Sequence, residues 1–312
     1  MAERKQTRFV YGQALVEVGK LHPNVVVIDA DLYNSTRTVE FRDAFPERFI
    51  DIGIAEADMI STGAGMAASG LVPYCNSFAI FITAHCYDQI RIQVAYPNLH
   101  LILAGSSAGL TQGPDGASHQ SLEDVALMRA LPNMHVLVPA DGVETRAITL
   151  AAAEIDGPVY IRLGRYPVPD ILSSDYRFEL GRATVLRQGS DMTLVACGHM
   201  THIALEAAEL LAHRQIEATV VNMSSIKPLD RLAVTHFMNT TPLMVTVEEH
   251  SIIGGLGSAV AEVMAEVGCG ARLIRLGTRD VFGESASADE LLQKHGLTPL
   301  AIAERLRREF GR

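Results

Sequence analysis

Short runs of uninterrupted Val, Ile and Leu recur along the chain. They alternate with segments whose apolar residues return every third or fourth position. "NVVVIDAD" (24–31), "HLILAGS" (100–106), "MHVLVPA" (134–140) and "VYIRLG" (159–164) form a first set of runs. Strands that are apolar throughout, rather than alternating, are buried on both faces, so this set predicts a parallel sheet between helical layers. "SLEDVALMRAL" opens with a Ser-x-x-Asp capping pattern and predicts a helix. "TRAITLAAAEIDG" predicts another, stopped by Gly-Pro. The rhythm breaks at "GRYPVPDILSSDYRFELGR" (164–182), which reads as a linker. A second alternating set follows: "MTLVACG", "ATVVNMS", "PLMVTVEE" and "ARLIRLG". The fold class expected is α/β, with two doubly wound domains at roughly 1–165 and 190–312.

Composition narrows the classes. A chain of 312 residues, 48% hydrophobic, has material for two cores, and with 6% aromatics and no Trp those cores are aliphatic. Lys and Arg number 26 against 36 Asp and Glu, a net charge of −10 that suits neither nucleic acid nor an anionic membrane. Cys75, Cys86, Cys197 and Cys269 are widely spaced, which reads as reduced thiols. "MAERKQTRF" has no apolar signal core, so the expected location is cytoplasmic. Met59–Ala84 carries no charged residue, yet Gly63, Gly65, Gly70 and Pro73 make it buried core or subunit interface rather than a membrane span.

Several clusters carry candidate chemistry. Gly105-x-Ser107-x-Gly109 follows a strand, as a hydrolase elbow does. The next stretch, "LTQGPDGASHQ", is too rich in Gly and Pro for the helix such an elbow needs, so a Gly-rich loop is expected there. Asp115 and His119 lie in that loop, past the carboxyl end of a strand, where open α/β sheets hold ligands. An Asp there accepts from a sugar hydroxyl, and a His donates to a developing alkoxide. An Asp-Gly turn with a solvated histidine explains them equally well. Phe78 and Phe81 suit a shelf for a flat ring, although core packing is the commoner use. Arg8, Ser35 and Arg165 would suit a phosphate, but nothing in their spacing brings them together. Gly63-x-Gly65-x-x-Ala68 reads as close helix packing through small residues. "GGLGS" (254–258) reads as a tight turn opening a helix, with room for an anion. His199 and His202 lack further ligands at metal spacing, and no metal site is expected.

"DIGIAEADM", "SFAIF…YDQIR", "GPDGASHQSLEDVALMRALPNMHVLVPAD" and "VYIRLGRYP", in this order and at these intervals, resemble the C-terminal half of transketolase, a thiamine diphosphate enzyme. The likeness covers nearly the whole chain and is greatest to the small subunit of split bacterial transketolases. It implies a pyrimidine-binding domain at 1–170, a linker at 171–189 and a transketolase C-terminal domain at 190–312. It implies that Glu56 hydrogen-bonds the cofactor's pyrimidine ring and acts in catalysis with His119. Phe78 and Phe81 would stack that ring, and Asp31 would lie near it and the subunit contact. Asp115 and His119 would hold substrate oxygens, while Arg8, Ser35 and Arg165 would grip the sugar phosphate. Ser107 stands where the family usually has a substrate-contacting histidine. Ala84 stands where it has a third aromatic, with His85 and Tyr87 nearby. The family's G-D-G…N-N segment, which holds Mg²⁺ and the diphosphate, is absent from this sequence. A separate N-terminal partner subunit would therefore carry it, in an α2β2 heterotetramer. The activity implied is transfer of a two-carbon ketol unit between sugar phosphates. A 1-deoxyxylulose 5-phosphate synthase-like subunit, a β subunit of a 2-oxo acid dehydrogenase and a non-catalytic homologue are the alternatives.

Overall fold

The computed structural model describes residues 4–268 and 270–310, so Cys269 lies outside the described residues. The first half contributes β1 (Arg4–Gln6), β2 (Val25–Asp29), β3 (Phe49–Asp51), β4 (Val72–Phe78), β5 (Ile102–Ser106), β6 (His135–Leu137), β7 (Val159–Arg162) and β8 (Pro167–Pro169). The second contributes β9 (Thr184–Arg187), β10 (Met192–Ala196), β11 (Ala218–Asn222), β12 (Ser225–Lys227), β13 (Leu243–Ser251) and β14 (Arg272–Thr278). A seven-stranded sheet runs β12-β6-β7-β5-β4-β2-β3, and a five-stranded sheet runs β14-β13-β10-β11-β9. Only the edge strands β12 and β9 pair antiparallel within these sheets. The α/β class with two parallel-based sheets is thus as the apolar runs predicted, and β2, β5, β10 and β11 are buried at every position.

The helices bury faces spaced by three and four. In Thr7–Leu21 the buried residues include Tyr11, Ala14, Leu15 and Val18. They pack on Val25, Val27, Ile148 and Ile161 to fill one face of the larger sheet. On its other face, Met59 and Ile60 of helix Glu56–Ala68 meet Ile28, Cys75 and Leu101. That core does not stop at the domain boundary: it runs on through Val195, Val221, Met244 and Val260 of the second half. A third core lies beyond the smaller sheet, under helices Met200–Ala212 and Pro299–Phe310.

Four sequence expectations are corrected. The segment 164–182 is not all linker, because β8 pairs with β1; the prolines are tolerated on a two-stranded ribbon, where few N–H groups are needed. At its far end, Thr184–Arg187, inside the expected linker 171–189, is β9 of the smaller sheet. Ser121 does not cap helix Asp124–Ala130; Asp124 turns inward instead, to Tyr160 and Arg162. Gly63 serves a sheet rather than a helix, since a Cβ there would lie 2.8 Å from Cys75 Sγ on β4. Among the described residues no helix is long and apolar enough to cross a membrane, and the uncharged run 59–84 is divided between a helix, β4 and a π-turn at Phe81–His85. Cys75, Cys86 and Cys197 are free thiols and buried.

Candidate active site

The carboxyl ends of β2, β4, β5 and β7 open on one edge of the larger sheet, and the chain's candidate residues leave the strands there. Glu56 is the first residue of its helix, 7% exposed, and its Oε1 accepts a 3.0 Å hydrogen bond from Ser77 Oγ at the end of β4. Its second oxygen accepts no hydrogen bond among the described residues. Burial, and then the nearby charge of Glu56, push the Cys86 thiol up to about 12, so this cysteine stays an inert thiol.

Phe78 follows Ser77 and ends β4; Phe81 opens the π-turn. Their rings are 6.1 Å apart and inclined by only 21°, a wall for a flat heterocycle. His119 stands edge-on to both, 6.2 Å from Phe78 and 5.2 Å from Phe81. Its Nδ1 is 3.0 Å from Ser118 Oγ. Thus Phe78, Phe81 and His119, the last thirty-eight residues beyond Phe81, form one aromatic corner beside the buried carboxylate.

A charged group adjoins it. Arg165 Nη1 lies 3.5 Å from Asp115 Oδ2, and Gln112 also donates to Asp115. Arg8 Nη1 donates to the Ser35 carbonyl at 3.0 Å, and Arg8 Nε donates to Gln6 at 2.8 Å. Burial, then the fields of Arg165 and Arg37, lower the Arg8 pKa from its ordinary value. Arg37 is paired with Glu40 and Arg165 with Asp115, whereas Arg8 makes no ion pair among the described residues and is the guanidinium best placed to receive an anion. Arg37 was not expected from the sequence. Its left-handed backbone, φ 68°, turns it back toward this cluster, and a non-glycine residue in that region leaves no mark in a one-dimensional pattern.

Asp31 and Ser107 join neither group by direct contact. Asp31 follows β2 with φ 60°, its amide donating to Asp51 at 3.1 Å and its side chain exposed. Ser107 has φ 58° and is fully buried, and its Oγ has no hydrogen-bond partner. It faces no base, and Leu110–Asp115 forms 3-10 turns broken at Gly113 rather than an α-helix, so the hydrolase geometry is absent here. Ala84 and His85 are exposed and Tyr87 is half-buried.

The second half of the chain builds part of this site. Glu249, near the end of β13, accepts the Thr111 amide at 2.5 Å and sits 3.1 Å from His199 Nδ1. A Cβ on Gly109 would lie 2.4 Å from that carboxylate, so the loop can approach only as glycine. Arg162, at the end of β7, donates to Asp124 at 2.8 Å and to the Glu249 carbonyl at 2.9 Å. Burial alone would raise the Asp124 carboxyl; Arg162 and His250 bring it below the ordinary range. The sequence signal was the pair of acids closing an otherwise apolar strand, "LMVTVEE".

Comparison with known proteins places the chain in one family. Residues 3–169 match the transketolase pyrimidine binding domain, and residues 181–302 the transketolase C-terminal domain. The chain belongs to the transketolase family. It is 44% identical over 308 residues to a putative transketolase C-terminal section of Methanocaldococcus jannaschii, covering 98% of this chain and 96% of that one. It is 42% identical over 300 residues to the 6-deoxy-6-sulfo-D-fructose transketolase subunit SqwH of a Clostridium species, covering 96% and 93%. A solved structure described as a split gene transketolase, inactive beta4 tetramer, is 50% identical, with a TM-score of 0.90 over 97% of both chains.

Proposed function

We propose that this transketolase-family subunit transfers a two-carbon ketol unit from a ketose phosphate to an aldose phosphate, and that it does so only with an N-terminal partner. The observation that carries the reading is Glu56: a buried carboxylate with one free oxygen, bonded to the residue that precedes a near-parallel aromatic wall. These groups fit an aminopyrimidine ring, with Phe78 and Phe81 packing its face and Glu56 bonding its edge. When bound, thiamine diphosphate would supply the electron sink that cleavage and formation of a carbon–carbon bond require.

The remaining residues orient the sugar. His119, beside Phe81, holds or moves a proton at a substrate oxygen, and Asp115 accepts from a hydroxyl. Arg8, Arg165 and the Ser35 segment bind the phosphate. Asp31, on the rim, lies near the cofactor and the partner. Ser107, in place of a cationic histidine, reshapes the end of the substrate pocket. The sequence has no G-D-G…N-N segment, so Mg²⁺ and the diphosphate are assigned to the partner. An α2β2 assembly is the closed arrangement this implies. Two findings support partner dependence: a structural relative made of β chains alone is described as inactive, and Ile54 and the outer face of helix Glu56–Ala68 leave an exposed surface with few charges.

The test is ketol transfer by the chain reconstituted with a G-D-G…N-N subunit. Glu56→Gln is expected to lower kcat by about a hundredfold or more while the complex still assembles. Arg165→Ala is expected mainly to raise KM. Full activity in Glu56→Gln, or in this chain without a partner, overturns the reading.

A further inference from the structure

A cavity of about 430 Å³ opens in the second half of the chain, away from the aromatic corner. It lies between the end of β14, the turn after helix Ala288–Lys294 and helix Pro299–Phe310. Arg279, Lys294, Arg305 and Arg308 line it with His295, against a single carboxylate, Glu304. Four cations to one anion is a marked local reversal in a chain with a net charge of −10.

The cations are not equivalent. Lys294 is already paired with Glu284. Arg279, Arg305 and Arg308 make no ion pair among the described residues, although Arg272, their neighbour on β14, is paired with Glu309. Arg305 is half-buried; burial, then the field of Arg279, lowers its pKa against the opposing field of Glu309, with Arg308 adding a smaller effect. Arg279, Arg305 and Arg308 outnumber the carboxylates beside them, Glu304 and Glu309, and such an excess of charge is relieved when something anionic joins it. We propose that this cavity is a binding site for a small molecule carrying a diphosphate or two phosphates. Three guanidiniums present forked donors that suit phosphate oxygens, and the volume suits a metabolite rather than a bare ion.

The site has a route to the active-site loop. Arg279 begins the segment 279–287, which crosses from the cavity to the loop 113–120. Gln120 Nε2 donates to the Glu284 carbonyl at 2.9 Å, and Lys294 of the cavity pairs with the Glu284 side chain. Gly116 lies so close to Ser285 that a Cβ would sit 2.5 Å from its Oγ. Fixing Arg279 on a ligand, with Lys294 held on Glu284, therefore restrains the backbone against which the loop carrying Asp115 and His119 rests. The inference is independent of the ketol-transfer reading.

The experiment is calorimetric titration of inorganic pyrophosphate into the full chain. Because Arg8 and Arg165 form a second cationic group, it is run on Arg279→Gln/Arg305→Gln and, separately, on Arg8→Gln/Arg165→Gln. The first pair is expected to weaken pyrophosphate binding at least tenfold, and the second to leave a tight site in place. Although Arg305 also faces Glu309, its repulsion from Arg279 is the stronger effect, so the thermal midpoint of the first pair without ligand should stay near the wild-type value, which separates lost binding from lost folding. Unchanged affinity in Arg279→Gln/Arg305→Gln, or loss of all binding in Arg8→Gln/Arg165→Gln, overturns the site. Amide hydrogen exchange over residues 109–120, read in the Arg8→Gln/Arg165→Gln background, should slow when pyrophosphate is added. No change there overturns the link to the loop.

Discussion

Asp29 illustrates how one residue shapes the loop that bears Asp31 and Ser35. It is fully buried and accepts hydrogen bonds from Thr36 Oγ1 at 2.7 Å, Thr38 Oγ1 at 2.8 Å and the Leu32 amide at 2.6 Å. Burial outweighs those bonds and raises its pKa from 3.8 to about 6. The folded state thus holds the proton that the unfolded chain has released between about pH 4 and pH 6. The stabilisation is complete below pH 4 and is lost as pH rises through 6. Relative to Asp29→Asn, the wild-type chain should lose on the order of 3 kcal/mol across that window, read from urea midpoints at successive pH values. Parallel pH profiles for the two proteins would refute the assignment. Gly109 makes a second, steric case. Its φ is 86°, and a Cβ would strike the Glu249 carboxylate. Gly109→Ala should cost about 2 kcal/mol or more, and protease susceptibility near Thr111 should rise.

At the scale of elements, the helix Asp124–Ala130, β7 and β13 are joined by polar groups in an otherwise aliphatic interior. Arg162 bonds Asp124, the Ser121 carbonyl and the Glu249 carbonyl. Removing the cation strands a buried carboxylate, so Arg162→Met should destabilise by about 3–5 kcal/mol, and adding Asp124→Asn should recover part of that. Chemical denaturation of the two variants decides it, and independent, additive effects would rule the pairing out. This network also marks where sequence reading ended. The strands were legible because burial on both faces leaves uninterrupted Val, Ile and Leu. The helix at 124 was legible too, but not its first turn: "SLED" satisfies a capping pattern locally, whereas Asp124 is claimed by an arginine thirty-eight residues on. Patterns of spacing record local bonds, and tertiary pairing overrides them. From spacing alone the aromatic corner was a choice between core and cofactor shelf, which only the family resemblance decided, because Phe78 and Phe81 have no outward sign of meeting His119. Arg37 was missed because its left-handed backbone leaves no mark in the pattern, and Glu249 because the acids that close its strand were not read as a signal.

The molecule as a whole is less divisible than its two sets of strands suggested. The sequence placed the break near 164–189, and the change of sheet does occur there. It gave no sign that β12, a strand from the second half, would add to the edge of the first sheet through Ser225↔Leu137 and Lys227↔Val136. Three residues are too few to leave a periodic signal. Nor could it tell that one aliphatic core would span both halves, since contact between distant helices is invisible to spacing. The second half reaches the loop that carries Asp115 and His119 through Glu249, which accepts the Thr111 amide.

The borrowed strand β12 carries one further consequence. The peptide between β8 and β9 is then not what holds the halves together. A protease cut within residues 171–180 should yield two fragments on a denaturing gel that still elute as a single species under native conditions. Their heat-induced dissociation should coincide with loss of the fold. Because the halves share a core and a sheet, such a scission changes the number of polypeptides and leaves the particle as it was.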